Sequence, residues 1–82
     1  MTRDEMLGEL KQFVGQELLD GRDAGLDEST PLLEWGVIDS LSVAELLTFT
    51  SERFDIDVPQ DEVSPQNLKD LNAYVGLLMR LG

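Results

Sequence analysis

The sequence predicts an all-α domain, a four-helix bundle of three main helices and one short helix with a long first loop. Three observations carry that prediction. Apolar residues recur at helical spacing in three separate stretches, capping residues stand where those stretches begin, and glycine or proline marks the intervals between them. A chain of 82 residues forms one domain, spanning 1–82, and a domain near this size buries only roughly 60–70% of its unfolded surface.

From Arg3 to Leu19 the residues Met6, Leu10, Phe13, Val14 and Leu18 fall on one stripe of an amphipathic helix, with Thr2 as its N-cap. Residues 20–38 form a long loop containing a short turn of helix. Gly21 and Gly25 bracket its polar part, and Ser29-Thr30-Pro31 precedes Leu32 and Leu33. A loop this long in so small a domain is uncommon unless it has a function or packs on its own side chains. Leu26, Leu32, Leu33, Trp35, Val37 and Ile38 supply that packing, with Trp35 pinning the loop over the bundle.

The second helix runs from about Ser40 to Phe54, capped by Asp39 or Ser40, with Val43, Leu46, Thr50 and Phe54 on its inner face. Leu41, Ala44, Glu45 and Thr48 recur by three and four on the other side. Residues 55–59 read as an extended link that Pro59 ends, and residues 61–64 as a further turn. The last helix begins near Asn67 as N-cap and turns Leu68, Leu71, Val75, Leu78 and Met79 inward. Tyr74 and most phenylalanines read as core, while Phe49 is also placed to line a cavity.

Cysteine and histidine are absent, which removes thiolate nucleophiles, imidazole bases and the commonest zinc ligands. An independent enzyme is therefore the weakest reading. Seventeen acids against six bases give a net charge of −11. No basic residue lies between Arg22 and Arg53, where Asp23, Asp27, Glu28, Glu34, Asp39, Glu45 and Glu52 fall. Such a surface repels nucleic acid and anionic lipid and attracts basic proteins. No apolar run suits a membrane span and the first residues lack a signal-peptide pattern, so a cytoplasmic location is expected. A calcium loop at residues 55–57 lacks the further ligands and the glycine it needs.

The candidate site is Gly36-Val37-Ile38-Asp39-Ser40-Leu41, a loop that delivers a serine to a helix start. A phosphodiester on Ser40 would meet unpaired backbone N–H groups and the positive end of the helix dipole, an arrangement worth about 0.3–1 kcal/mol. Taken alone, Asp-Ser-Leu describes an ordinary N-cap, and Ser42 with Glu45 offers a second capping box.

Context changes that reading. The segments Thr-Pro-Leu-Leu-Glu-Trp-Gly-Val-Ile-Asp-Ser-Leu (30–41), Glu45-Leu46, Glu52-Arg53-Phe54, Ile56-Asp57-Val58-Pro59 and Leu68-Lys69-Asp70-Leu71 together resemble the acyl and peptidyl carrier protein family, over residues 30–75. The resemblance implies an acyl-carrier-type bundle in which Ser40 receives 4'-phosphopantetheine from coenzyme A. A chain without cysteine then holds acyl groups as thioesters on an imported thiol.

Partner enzymes, by the same resemblance, dock on the second helix at Asp39, Leu41, Ala44, Glu45 and Thr48. They comprise a phosphopantetheinyl transferase, an adenylation enzyme or acyltransferase that loads cargo, and a downstream acyltransferase or synthase. The carrier itself is expected to be a monomer. Ser42 and Thr48 depart from fatty-acid carriers, and Val37-Ile38-Asp39 departs from the Gly-Gly lead of peptide-synthetase domains. Leu-Leu-Glu-Trp-Gly is similar to discrete aminoacyl carriers, which implies polyketide or nonribosomal-peptide-type biosynthesis. The alternative reading is a non-covalent acidic adaptor for a basic partner.

Overall fold

A computed structural model describes residues 2–18, 27–34, 36 and 38–82. The expectations for Gly21, Gly25, Leu26, Trp35 and Val37 lie outside the described residues. The elements are helix α1 (Arg3–Phe13), a π-helical turn (Val14–Leu18), α2 (Ser40–Phe54), a 3-10 turn (Gln60–Glu62), α3 (Pro65–Leu68) and α4 (Leu71–Leu81). The described chain is all helix and connecting loop, the predicted bundle with α3 as its short member.

Local chemistry fixes most boundaries. Thr2 and Glu5 form a reciprocal capping box, each backbone N–H donating to the other's side chain at 3.0 and 3.2 Å, which satisfies two orphan donors at the start of α1. α2 ends at Asp55, whose φ of 58° is left-handed and whose N–H donates to the Ser51 carbonyl at 3.1 Å. Aspartate tolerates that conformation better than most residues with a side chain. Residues 55–59 are thus a left-handed cap followed by an extended link.

The last helix departs from expectation. Ser64 accepts from Asn67 N–H and Pro65 occupies the first turn, starting α3; Asp70 then accepts from Ala73 N–H at 2.8 Å and starts α4. Asn67 is inside α3, where its amide donates to the Glu62 carbonyl at 2.7 Å. Two strong caps six positions apart, Ser64 and Asp70, divide what periodicity alone joins.

The core comprises Met6, Leu10 and Val14 from the first helical segment, Leu32 and Ile38 from the loop, Leu46 from α2, Leu68 from α3, and Leu71, Tyr74, Val75, Leu77 and Leu78 from α4. Met79 does not join it: half of its side chain is exposed, with Met6, Phe54 and Ile56 around the same open depression. Leu33 is likewise exposed while Leu32 is fully buried, because the turn closed by Gly36 N–H and the Leu33 carbonyl at 3.2 Å points successive side chains in opposite directions.

This loop is tied to the α3–α4 junction. Leu32 N–H donates to the Lys69 carbonyl at 2.8 Å, and Asn72 N–H to the Glu28 carbonyl at 3.1 Å. Buried Thr30 accepts from Asp27 N–H at 2.8 Å. Ile38, 4% exposed, anchors the chain two residues before Ser40.

Candidate functional site

Asp39 is the N-cap of α2, with extended backbone and a carboxylate oxygen accepting from Ser42 N–H at 2.9 Å. That backbone hydrogen bond is the main reason its carboxyl is held below the ordinary aspartate value, so it is ionised at neutral pH. With the cap role filled by Asp39, Ser40 is the first helical residue. Its side chain is exposed, and among the described residues its hydroxyl makes no hydrogen bond. The Ser42–Glu45 capping box does not form, because Ser42 is already inside the first turn of α2.

Leu41 follows with 70% of its surface exposed, the most of any large apolar side chain described. Ala44, Glu45 and Thr48 are exposed on the same face, and the Thr48 hydroxyl donates to the Ala44 carbonyl at 3.0 Å. The structure therefore gathers Asp39, Ser40, Leu41, Ala44, Glu45 and Thr48 on the outward side of one helix, while Leu46 and Thr50 are buried on the other.

An exposed hydroxyl at a helix N-terminus suits a phosphoryl substituent. The donor dipole of α2 favours negative charge there, and Ile38 on one side and the buried face of α2 on the other hold the position rigidly. Ser40 fits the attachment of a phosphodiester in its chemistry and its access.

Sequence reasoning underestimated one pair. Phe13 and Phe49 stack with ring centroids 4.3 Å apart and planes 19° from parallel, and Phe54 meets Phe49 edge-on at 5.8 Å. Both stacked rings are only partly buried and line open depressions on the α1–α2 surface. No local pattern reveals this, since the two phenylalanines meet only after the chain has turned back.

Residues 9–75 match the family described as the phosphopantetheine attachment site. The chain is 31% identical over 72 residues to a probable acyl carrier protein, PigG, of Serratia sp. (strain ATCC 39006), covering 88% of this chain and 83% of that protein. It also matches a chain in a solved structure titled "Crystal structure of FAD-dependent dehydrogenase", at 33% identity and a TM-score of 0.82, covering 85% of this chain and 99% of that one.

With the matched segment spanning α2 and the loop that leads into it, this protein belongs to the phosphopantetheine-binding carrier family. Its cofactor is 4'-phosphopantetheine, and proteins of this family carry substrates for other enzymes and are not themselves catalysts. Among the described residues no helix is long and apolar enough to cross a membrane.

Proposed function

We propose that the phosphopantetheine arm is attached through the Ser40 hydroxyl oxygen, and that the protein is a discrete carrier of acyl or aminoacyl cargo in polyketide or nonribosomal-peptide-type biosynthesis. One observation carries the assignment of Ser40. Its exposed hydroxyl stands at the first position of α2, beside a cap already supplied by Asp39. When bound, the group supplies the thiol that holds cargo as a thioester.

The chain's own residues present and position that attachment point. Asp39 takes the cap position and so releases the serine from a structural role. Ile38 and the loop contacts to Lys69 and Asn72 hold the helix start in place. Leu41, Ala44, Glu45 and Thr48 offer an apolar strip with an acidic edge to the partners: a phosphopantetheinyl transferase, a loading adenylation enzyme or acyltransferase, and a downstream acyltransferase or synthase. The net charge of −11 favours rapid association with basic docking faces.

The relative's name supports a carrier of acyl groups. In the structure titled for an FAD-dependent dehydrogenase, the matched chain is shorter than this one, since 85% of this chain spans 99% of it. This supports an FAD-dependent dehydrogenase as a further partner.

Peptide mapping tests the attachment residue. Cleavage after glutamate at positions 34 and 45 releases residues 35–45, in which Ser40 and Ser42 are the only hydroxyl residues. After modification, fragmentation of that peptide is expected to place the added mass on Ser40. Placement on Ser42, or on another peptide, removes the assignment.

A further inference from the structure

The surface between α1 and α2 carries two adjoining open depressions, of about 190 and 330 Å³. The stacked rings of Phe13 and Phe49 line both. Around this shared aromatic floor stand Glu9 and Glu17 on the α1 side and Glu45 and Glu52 on the α2 side, and no basic residue is among the lining residues. Glu9 is taken by Arg53, whose guanidinium lies 2.5 Å from its carboxylate. Among the described residues, Glu17, Glu45 and Glu52 make no salt bridge.

Two features distinguish this groove from an ordinary solvated helix face. The residues that bring Gln16 and Glu17 to it belong to the π-helical turn Val14–Leu18, a conformation that is rare and concentrated at functional sites. The larger depression also includes Ala44, Glu45 and Thr48, so the groove is continuous with the outward face of α2 that begins at Leu41.

From this geometry we infer that the α1–α2 groove seats an amphipathic basic helix of a partner enzyme. An apolar side chain of that helix rests on Phe13 and Phe49, and its Lys or Arg side chains reach Glu17, Glu45 and Glu52. The aromatic floor and the acidic rim together match helix-in-groove recognition, and the charge complementarity selects a basic occupant over a second copy of this acidic chain. The inference rests on the docking role proposed for α2 and extends it onto α1, so that docking involves both helices rather than the serine end alone.

A two-peptide titration tests it. The probe is an amidated helical peptide of about 15 residues with leucines at i, i+3, i+4 and i+7 flanked by arginines; the control has glutamate in place of each arginine. Added to the 15N-labelled apo protein, the basic peptide is expected to shift the amide resonances of Phe13, Gln16, Glu17, Phe49 and Glu52 saturably, and the acidic peptide to shift none. Glu17→Lys should raise Kd about fivefold, in keeping with the small energies of exposed ion pairs, and Glu17→Gln by less. Asp61→Lys, in the 3-10 turn, serves as the charge-matched control and should leave Kd near its starting value. Absence of binding, shifts confined to Ser40 and Leu41, or equal effects of Glu17→Lys and Asp61→Lys would overturn the inference. The arm-attachment reading is scored separately, by mass, on the same samples.

Discussion

The phenol oxygen of Tyr74 lies 2.7 Å from the hydroxyl oxygen of Thr50, joining α4 to α2 inside the core. Thr50 donates onward to the Leu46 carbonyl at 2.8 Å, so Tyr74 is the donor in the shared contact and Thr50 its acceptor. Both side chains are fully buried. The inner face of the helix that begins at Ser40 is thus fixed by one polar link as well as by apolar packing.

That direction of donation predicts an asymmetry. Thr50→Val strands the Tyr74 hydroxyl without an acceptor and should destabilise the protein by about 1–3 kcal/mol. Tyr74→Phe removes the donor but leaves Thr50 bonded to Leu46, and should cost about 0.5–1.5 kcal/mol. Chemical denaturation of both variants measures the difference; a larger loss for Tyr74→Phe would contradict the assigned direction.

The same contact sets an alkaline limit. Burial raises the Tyr74 phenol above the ordinary tyrosine value. A raised folded-state value means that its stabilising contribution is complete below about pH 10 and is lost as pH climbs through the folded value. At the acid end Asp39 has the opposite sign. Its lowered value, due first to the Ser42 backbone hydrogen bond, gives stability that is present above the ordinary aspartate range and is lost as pH falls through the folded value. Stability measured across pH should show both flanks, with Tyr74→Phe removing the tyrosine part of the alkaline one and Asp39→Asn most of Asp39's part of the acid one.

Asp39 and Ser40 are adjacent but have separable duties. Asp39→Ala removes the cap of α2 and should cost about 0.5–2 kcal/mol. Ser40→Ala alters an exposed residue that caps nothing and should change stability by less than about 0.5 kcal/mol. Thermal melts of the two variants check this, and equal losses would return the cap role to the serine.

Gly36 has a φ of 70°, and a Cβ at that position meets no atom within 4 Å. The cost of Gly36→Ala is therefore conformational and not steric with neighbours, about 1–2 kcal/mol. Denaturant melts measure it; no loss would mean that the turn before Ser40 relaxes freely.

Much of this was legible in the sequence because it is locally encoded. Thr2 as N-cap of α1, Asp39 as one of two cap candidates for α2, and the periodic rows Met6–Leu10–Val14 and Leu46–Thr50 need only neighbours along one helix. The outward row Leu41, Ala44, Glu45 and Thr48 was readable for the same reason. The break between α3 and α4 was not, because Ser64, Asn67 and Asp70 all have cap chemistry and only packing selects among them. The exposure of Leu33 depends on a turn with left-handed Gly36, and the Phe13–Phe49 stack on two segments 36 positions apart. Neither has a signature in local spacing.

The most direct test of the central claim is intact mass spectrometry of the protein incubated with coenzyme A and a broad-specificity phosphopantetheinyl transferase, beside Ser40→Ala shown to be folded. The account predicts one added phosphopantetheine on the wild type and none on the variant. Equal modification of the folded Ser40→Ala protein, or an unmodified and folded wild type that stays unmodified, would contradict it.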